Sequence, residues 1–266
     1  MKNKSNLLLK NKNIFDKIFY YISPSFSIIV FIVLWQMVAI GGRTQLPTAY
    51  ETLERLGTIW TSDIAKLPMI AHVGISIRRI LGALAVAVLT GVPFGVALAW
   101  NKTFRAICKP VFEIIRPVPP IAWVPLFTLW FGTGEFPRML IIFFGVFMAI
   151  VINSYAGVEM IPPLNFDVGK IFGASKWQML FDIVLPSSLS AIFAGIRTSL
   201  GTGWMVLLAA EMLAAKSGIG FLIMQGVNAN DLELAIVGMF MIGIFGSLFA
   251  YGFDYIERWL CPWKRD

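Results

Sequence analysis

Long apolar runs alternate with short polar stretches along the whole chain. Six of the runs approach the length a helix needs to cross a bilayer, about 20 residues. They lie near residues 24–41, 80–100, 118–132, 138–157, 186–210 and 234–256, and the third is the shortest and richest in proline. This pattern predicts an all-α, polytopic membrane bundle of about six transmembrane helices, because a helix satisfies its own backbone polar groups in lipid. Between the first two runs, Leu46-Pro47 leads to Thr48 with Glu51 three residues on. That is a capping-box pattern. Leu53, Leu56 and Trp60 then give one apolar face, which predicts an amphipathic helix lying on the membrane surface. It either covers lipid headgroups or helps form a rim for a partner.

Two of the expected spans carry small residues at every fourth position. The second has Ala83, Ala87, Gly91, Gly95 and Ala99, and the fifth has Ala191, Gly195, Ser199 and Gly203. Small-xxx-small stripes let helix backbones approach closely in lipid, so these stripes argue for packing, not chemistry. Pro110, Pro117, Pro119, Pro120 and Pro125 crowd the approach to the third run. Such spacing breaks a regular helix, and freed carbonyls at membrane depth must be met by protein or by water. A broken element of this kind fits a pathway wall and also fits a turn near the surface.

The fifth run holds three residues that are candidates for a pathway: Arg197, Trp204 and Glu211. Arg197 stands about 16 Å of helix beyond Pro186, and Glu211 about 21 Å further on at standard rise. A charge at such depth is costly and tends to face a bundle interior or a water-filled cavity. Arg197 therefore either attracts an anionic solute or acts structurally, bonding carbonyls or reaching back to the headgroups. Trp204 lies seven residues on, near the same face, as a candidate wall.

The most informative stretch is Asp167–Pro186, DVGKIFGASKWQMLFDIVLP. It is polar, predicted helical, and set between two apolar runs. Val168, Ile171, Phe172 and Met179 recur near helical spacing. Gly173 is expected inside this helix, at a cost of about 1 kcal/mol relative to alanine. Close approach of another surface would justify that cost. Pro186 suits the first turn of the next helix, where its missing N–H is not needed.

This stretch resembles the "EAA" loop of the membrane subunits of ABC importers. Asp167-Val168-Gly169 stands for Glu-Ala-Ala, Gly173 for the loop glycine, and Ile183, Leu185 and Pro186 for the Ile-x-Leu-Pro ending. The spacing matches throughout, while only the acidic character of the first three residues survives. The resemblance implies a type I permease fold and a coupling helix that docks on a cytoplasmic ATPase, with Asp167, Gly169, Gly173, Ala174, Ile183, Leu185 and Pro186 in that loop. Further strings resemble the nitrate/sulfonate/taurine/bicarbonate group of permeases. They include Pro119-Pro120-Ile121-Ala122-Trp123-Val124-Pro125-Leu126, Gly195-Ile196-Arg197, Gly203-Trp204, Ala209-Ala210-Glu211 and Ser217-Gly218-Ile219-Gly220. The likeness covers roughly residues 70–260. It implies a second copy of the chain, a pair of cytoplasmic ATPases and an extracytoplasmic substrate-binding protein as partners, with membrane lipid around them. The implied cargo is a small anion of that group; the same group includes carriers of vitamin precursors and other small organic solutes, which stays the alternative.

Charge fixes the expected orientation. With the N-terminus in the cytoplasm, fourteen Lys and Arg residues fall inside, seven fall outside, and Arg197 lies within a span. This bias follows the positive-inside rule. It places both termini and the loop near 158–185 in the cytoplasm of a cell with a bacterial-type inner membrane. The expected organisation is a cytoplasmic segment 1–23, a permease domain 24–260 and a cytoplasmic tail 261–266. Orientation also accounts for the net charge of +7, so nucleic acid is not an expected partner. Cys108 and Cys261 fall on the reducing side, where no disulfide is expected. His72 is the sole histidine, so neither a metal site nor the polar cluster of a membrane-embedded enzyme is expected. A non-transporting scaffold is the other remote reading. The sequence has no Gly-x-x-x-x-Gly-Lys-Ser/Thr phosphate loop. No catalytic residue and no cofactor is expected in this chain; ATP and Mg2+ belong to the partner ATPase.

Overall fold

The computed structural model describes residues 14–41 and 45–260. Lys2, Lys4, Lys10, Lys12, Arg43 and the tail 261–266 with Cys261 lie outside the described residues. Helix α1 (Ile14–Ile40) leads to the surface helix α2 (Ala49–Thr61), then to α3 (Met69–Trp100) and α4 (Lys102–Ile115). A 3-10 turn at Pro120–Trp123 opens α5 (Val124–Phe131), followed by α6 (Glu135–Glu159) and α7 (Pro163–Ile171). One turn at Lys176–Gln178 and a π-helical stretch Met179–Val184 run directly into α8 (Leu185–Ala214). The short α9 (Ile219–Asn228) and the long α10 (Leu232–Leu260) complete the chain.

Among the described residues, four helical runs are long and apolar enough to cross a membrane: Met69–Trp100, Glu135–Glu159, Lys176–Leu213 and Leu232–Ile256. Within α1 the stretch Ser25–Ile40 is apolar but shorter. The run expected as a third span does not cross by itself. Its helix α5 has 8 residues, about 12 Å at standard rise. It forms one half of a pair with α4, bent by 86°. The cause is in the prolines: Pro117 and Pro119 fall in the break, and Pro120 and Pro125 sit in first-turn positions where a missing N–H costs nothing.

Both small-residue stripes pack onto the same helix, α6, from two sides. A Cβ at Gly95 of α3 would lie 2.6 Å from the Val151 carbonyl oxygen and 2.7 Å from Ser154 Cβ. One at Gly195 of α8 would overlap the side chain of Asn153. Ala83, Ala87 and Ser199 are buried along the same seams. α6 is thus the central post of the bundle, and Ile142, Val146 and Ile150 on it are all within 1% of full burial. Small residues suit these positions because they let the helices approach closely enough to pack in lipid.

The expected capping box opens α2: Glu51 N donates to Thr48 Oγ1 (3.2 Å) and Thr48 N to Glu51 Oε2 (2.7 Å). Its packed face, however, is Thr52, Leu56 and Ile59, while Leu53 and Trp60 point outward. The helix is turned from the expected face because Arg55 reaches Asp231 at the start of α10 (2.5 Å) and fixes its rotation. α2 is also tied to α1, with Trp35 Nε1 donating to the Pro47 carbonyl (3.0 Å) and Ala49 N to Gln36 Oε1 (3.1 Å).

Candidate functional site

At one end of the bundle, α6 gives way to the loop that sequence singled out. The loop is two helical pieces rather than one. Phe172 N bonds to Val168 O (3.1 Å), Gly173 N to Lys170 O (3.0 Å) and Ala174 N to Gly169 O (2.9 Å), with Gly173 at φ +70°. This is a Schellman stop, which needs a left-handed residue after the last helical turn. Gly173 therefore ends α7. Within this chain nothing lies within 4 Å of a Cβ built at Gly173.

The loop's own close approach is at Gly169. A Cβ on it would lie 2.6 Å from Ile183 Cδ1 and 2.7 Å from Met179 Cε. α7 folds back on the π-helical stretch at this point, and Met179 turns inward while Val168, Ile171 and Phe172 stay exposed. Ser175 restarts the helix with a second capping box, accepting from Gln178 N (3.3 Å) as Gln178 Oε1 accepts from Ser175 N (2.8 Å). The i→i−5 bond from Leu185 N to Leu180 O marks the widened turn before Pro186. Such a turn re-satisfies the backbone where proline cannot donate. Ile183, Leu185 and Pro186 thereby join the loop to α8 without a break. Phe166 stacks on Trp100 at the end of α3 (6.5 Å between centroids), which fastens the loop to a second spanning helix. Asp167 is exposed and paired with Lys170 (2.9 Å).

The opposite end holds a buried charged cluster. Arg79, 1% exposed, donates from Nη1 to Glu211 Oε1 (2.6 Å) and to the Ser217 carbonyl (2.7 Å). Its Nη2 and Nε reach the two oxygens of Glu135 (2.6 and 2.8 Å). Glu211, equally buried, also accepts from Ser76 Oγ (2.8 Å) and from Gly220 N (2.9 Å). His72 sits one turn before Ser76. Its Nδ1 accepts from Gly218 N (3.1 Å), so Nε2 carries the proton and donates to the Ile64 carbonyl (3.0 Å). Arg138 adds a contact to Glu135 (2.8 Å). One cluster thus joins α3, α6, α8 and the turn into α9. Within it, Arg79, Glu211, Ser76 and His72 are each hydrogen-bonded to protein partners.

Of the three candidates on α8, none shares a contact with another. Glu211 lies in the cluster just described. Arg197 is half-exposed and pairs with Asp254 of α10 (2.9 Å). Trp204 is 6% exposed and meets Phe249 edge-on (5.8 Å between centroids). It faces α10 rather than open space. The exposed side of α8 is instead Thr198, Gly201, Thr202 and Met205, opposite the packed stripe. Thr198 and Thr202 donate to the carbonyls of Ala194 and Ser199 (both 2.9 Å). Sequence reasoning passed over this face, and its signal was there: two threonines and a glycine at i, i+3 and i+4 in an otherwise apolar helix. It also passed over His72, Ser76 and Arg79, which recur at i, i+4 and i+7 near the start of α3. Among the described residues, no three His, Cys, Asp or Glu side chains are placed to hold a metal ion.

Comparison with known proteins agrees with this architecture. The chain is 35% identical over 222 residues to the taurine transport system permease protein TauC of Escherichia coli, covering 83% of this chain and 81% of that one. It is 27% identical to the nitrate import permease protein NrtB of Synechocystis, over 91% of this chain and 90% of the other. The bicarbonate transport system permease protein CmpB of Synechococcus elongatus is 28% identical, over 89% and 88%. Among solved structures, the MetNI methionine ABC transporter in an inward-facing conformation superposes with a TM-score of 0.61 at 18% identity, over 71% of this chain and 94% of that one. That likeness speaks for the fold alone: a multi-pass type I permease fold. Residues 91–266 match the family described as the binding-protein-dependent transport system inner membrane component, and the chain belongs to that family as a permease subunit of an ABC importer.

Proposed function

We propose that two copies of this chain form the pathway of an importer for a small anion of the nitrate, sulfonate, taurine and bicarbonate class. The substrate class rests on relatives named for taurine, nitrate and bicarbonate. Energy comes from a cytoplasmic ATPase pair that binds ATP and Mg2+, and this chain carries no ATPase site of its own. A substrate-binding protein delivers the solute at the end that holds the Arg79 cluster. Both termini and the loop face the cytoplasm, as the Lys/Arg bias argues.

One observation carries the reading. The loop between α6 and α8 exposes Ile171 (82%), Phe172 (85%) and Trp177 (70%) on a backbone held by a Schellman stop, a capping box and the Gly169 contact. An apolar patch on a rigid, water-facing loop calls for a protein partner. Because the loop's second piece, from Lys176, continues unbroken into α8, a partner's motion passes to that helix. Asp167, Gly169, Gly173, Ala174, Ile183, Leu185 and Pro186 hold the loop's shape. Arg197, Thr198 and Thr202 are the pathway residues, while Trp204 and Glu211 brace α8 from behind. The threonine hydroxyls donate to their own backbone, so this wall is polar without holding an anion tightly.

Replacing Ile171 and Phe172 together by Asp tests the docking. Burying unpaired charge against a partner costs several kcal/mol, roughly 2–7 per group even for neutral polar atoms. ATPase recovered with the purified permease should fall at least about tenfold, with membrane insertion intact. Undiminished recovery would remove the loop from this role.

A further inference from the structure

A cavity of about 240 Å³ opens between α4 and α6 at the loop end of the bundle. Its floor is apolar: Leu98 of α3, Phe112 of α4, and Val151 and Ile152 of α6. Its rim is basic. Lys109 and Arg116 both line it, and Arg105 stands beside them, its guanidinium 5.4 Å from the centre of the Tyr155 ring. Lys109 Nζ sits over the same ring (5.0 Å) and donates to Tyr155 Oη (3.3 Å). Three cations, Arg105, Lys109 and Arg116, gather here beside two carboxylates, Glu113, which also lines the cavity, and Glu159. Arg116 pairs with Glu113 at 3.5 Å and Arg105 with Glu159 at 3.6 Å, among half-exposed side chains, and Tyr155 Oη also donates to Glu159.

The placement matters as much as the composition. α4 is bent by 86° from the helix that follows, and it exposes Ile107, Val111 and Ile114 along one face. Those positions, i, i+4 and i+7, form the apolar stripe of a helix lying in a membrane interface. The cavity opens where the last turns of α6 meet this helix, at the end that the Lys/Arg bias assigns to the cytoplasmic interface. A slot with a hydrocarbon floor and a cationic lip matches a phospholipid, with an acyl chain inward and the phosphate on the lip. Basic pockets between spanning helices bind acidic headgroups in this manner.

We infer that the α4–α6 groove binds an anionic phospholipid, its phosphate held by Lys109 and Arg116 and one acyl chain lying on Leu98, Phe112, Val151 and Ile152. A zwitterionic lipid gains less, because its own cation meets the same basic lip. Free phosphate lacks the chain that fills the floor. The inference holds whichever solute the importer carries.

Native mass spectrometry of the purified, detergent-solubilised protein decides the matter, using phosphatidylglycerol and phosphatidylcholine of identical chains. The wild type should retain phosphatidylglycerol preferentially. Lys109→Gln with Arg116→Gln should weaken that retention about twenty-five-fold, at about fivefold per cation removed, and leave phosphatidylcholine unchanged. Lys109→Arg with Arg116→Lys keeps the charge and should keep the preference, which separates loss of binding from loss of fold. Ala156 of α6 also lines the cavity, and Ala156→Phe, which narrows it, should lower retention of both lipids. Excess inorganic phosphate should not displace phosphatidylglycerol; displacement would mean that an anion alone is recognised. Equal retention of the two lipids, or a Gln pair that binds like the wild type, overturns the proposal, as would a groove covered by a second copy of the chain.

Discussion

The buried cluster of Arg79 and Glu211 makes an asymmetric prediction. Removing one partner of a buried ion pair costs about 3–5 kcal/mol, because the other charge is left uncompensated. The two partners here are not equally exposed to that penalty. In Glu211→Leu, Arg79 keeps both oxygens of Glu135 and the Ser217 carbonyl, so the loss should lie near the lower limit, about 3 kcal/mol. In Arg79→Met, Glu211 keeps only the hydroxyl of Ser76 and the N–H of Gly220, and the loss should approach 5 kcal/mol, again by the same range. For a chain of this size each kcal/mol moves the unfolding midpoint by roughly 2–4 °C. Arg79→Met should therefore unfold at least about 10 °C below the wild type, with Glu211→Leu between them. The double variant replaces charge by packed hydrocarbon and should be less damaged than the sum of the singles by about 2 kcal/mol or more. Thermal unfolding of purified protein in one detergent, followed by tryptophan fluorescence, gives all four values. Two single variants within about 0.5 kcal/mol of wild type, a range ordinary for surface changes, would show that the cluster does not hold the helices together. Strict additivity would deny the coupling.

The remaining predictions concern the loop and the rim. Gly173 should accept Asn with little loss of uptake but lose most activity as Val, since a β-branched residue at φ +70° costs about 1–2 kcal/mol and unwinds the stop; equal uptake by both variants would refute the conformational argument. Burial tends to raise the Asp231 carboxyl, but the Arg55 guanidinium and the Leu234 N–H outweigh it and leave it below the ordinary carboxylate value. Its contribution is then present above the unfolded-state value of about 3.9 and lost as pH falls through the lower folded value. For so exposed a pair it amounts to at most about 1 kcal/mol. Hydrogen exchange across residues 49–61 should quicken below that pH in the wild type. Asp231→Asn should be quick at all pH values, and an unchanged acid response in Asn would assign the effect elsewhere.

Much of the fold is legible in residue pattern alone. The two stripes of small residues foretold close helix contacts, and Thr48 with Glu51 foretold the cap of α2, because both signals are local and periodic. What stayed hidden depends on backbone angle or on distance along the chain. A glycine's left-handed φ leaves no mark on its neighbours, so Gly173 reads as a helix interior and Gly169 as an ordinary substitution for alanine. Arg79 and Glu211 lie 132 positions apart; the first reads as an orientation charge and the second as a pathway residue until the fold brings them together. The rotation of α2 was likewise set by a partner, Asp231, 176 positions from Arg55. Trp204 lies where helical spacing puts it, but the neighbouring α10 takes that face as packing surface.

Uptake into sealed vesicles tests the central claim, that this chain forms a pathway driven through its loop. The permease would be reconstituted with its ATPase and binding protein, and ATP-dependent accumulation of taurine, nitrate and bicarbonate compared for wild type and the Ile171→Asp, Phe172→Asp variant. The wild type should accumulate at least one of these anions with ATP and none without it, and the variant should insert normally yet accumulate none. Accumulation by the variant at the wild-type rate would contradict the account.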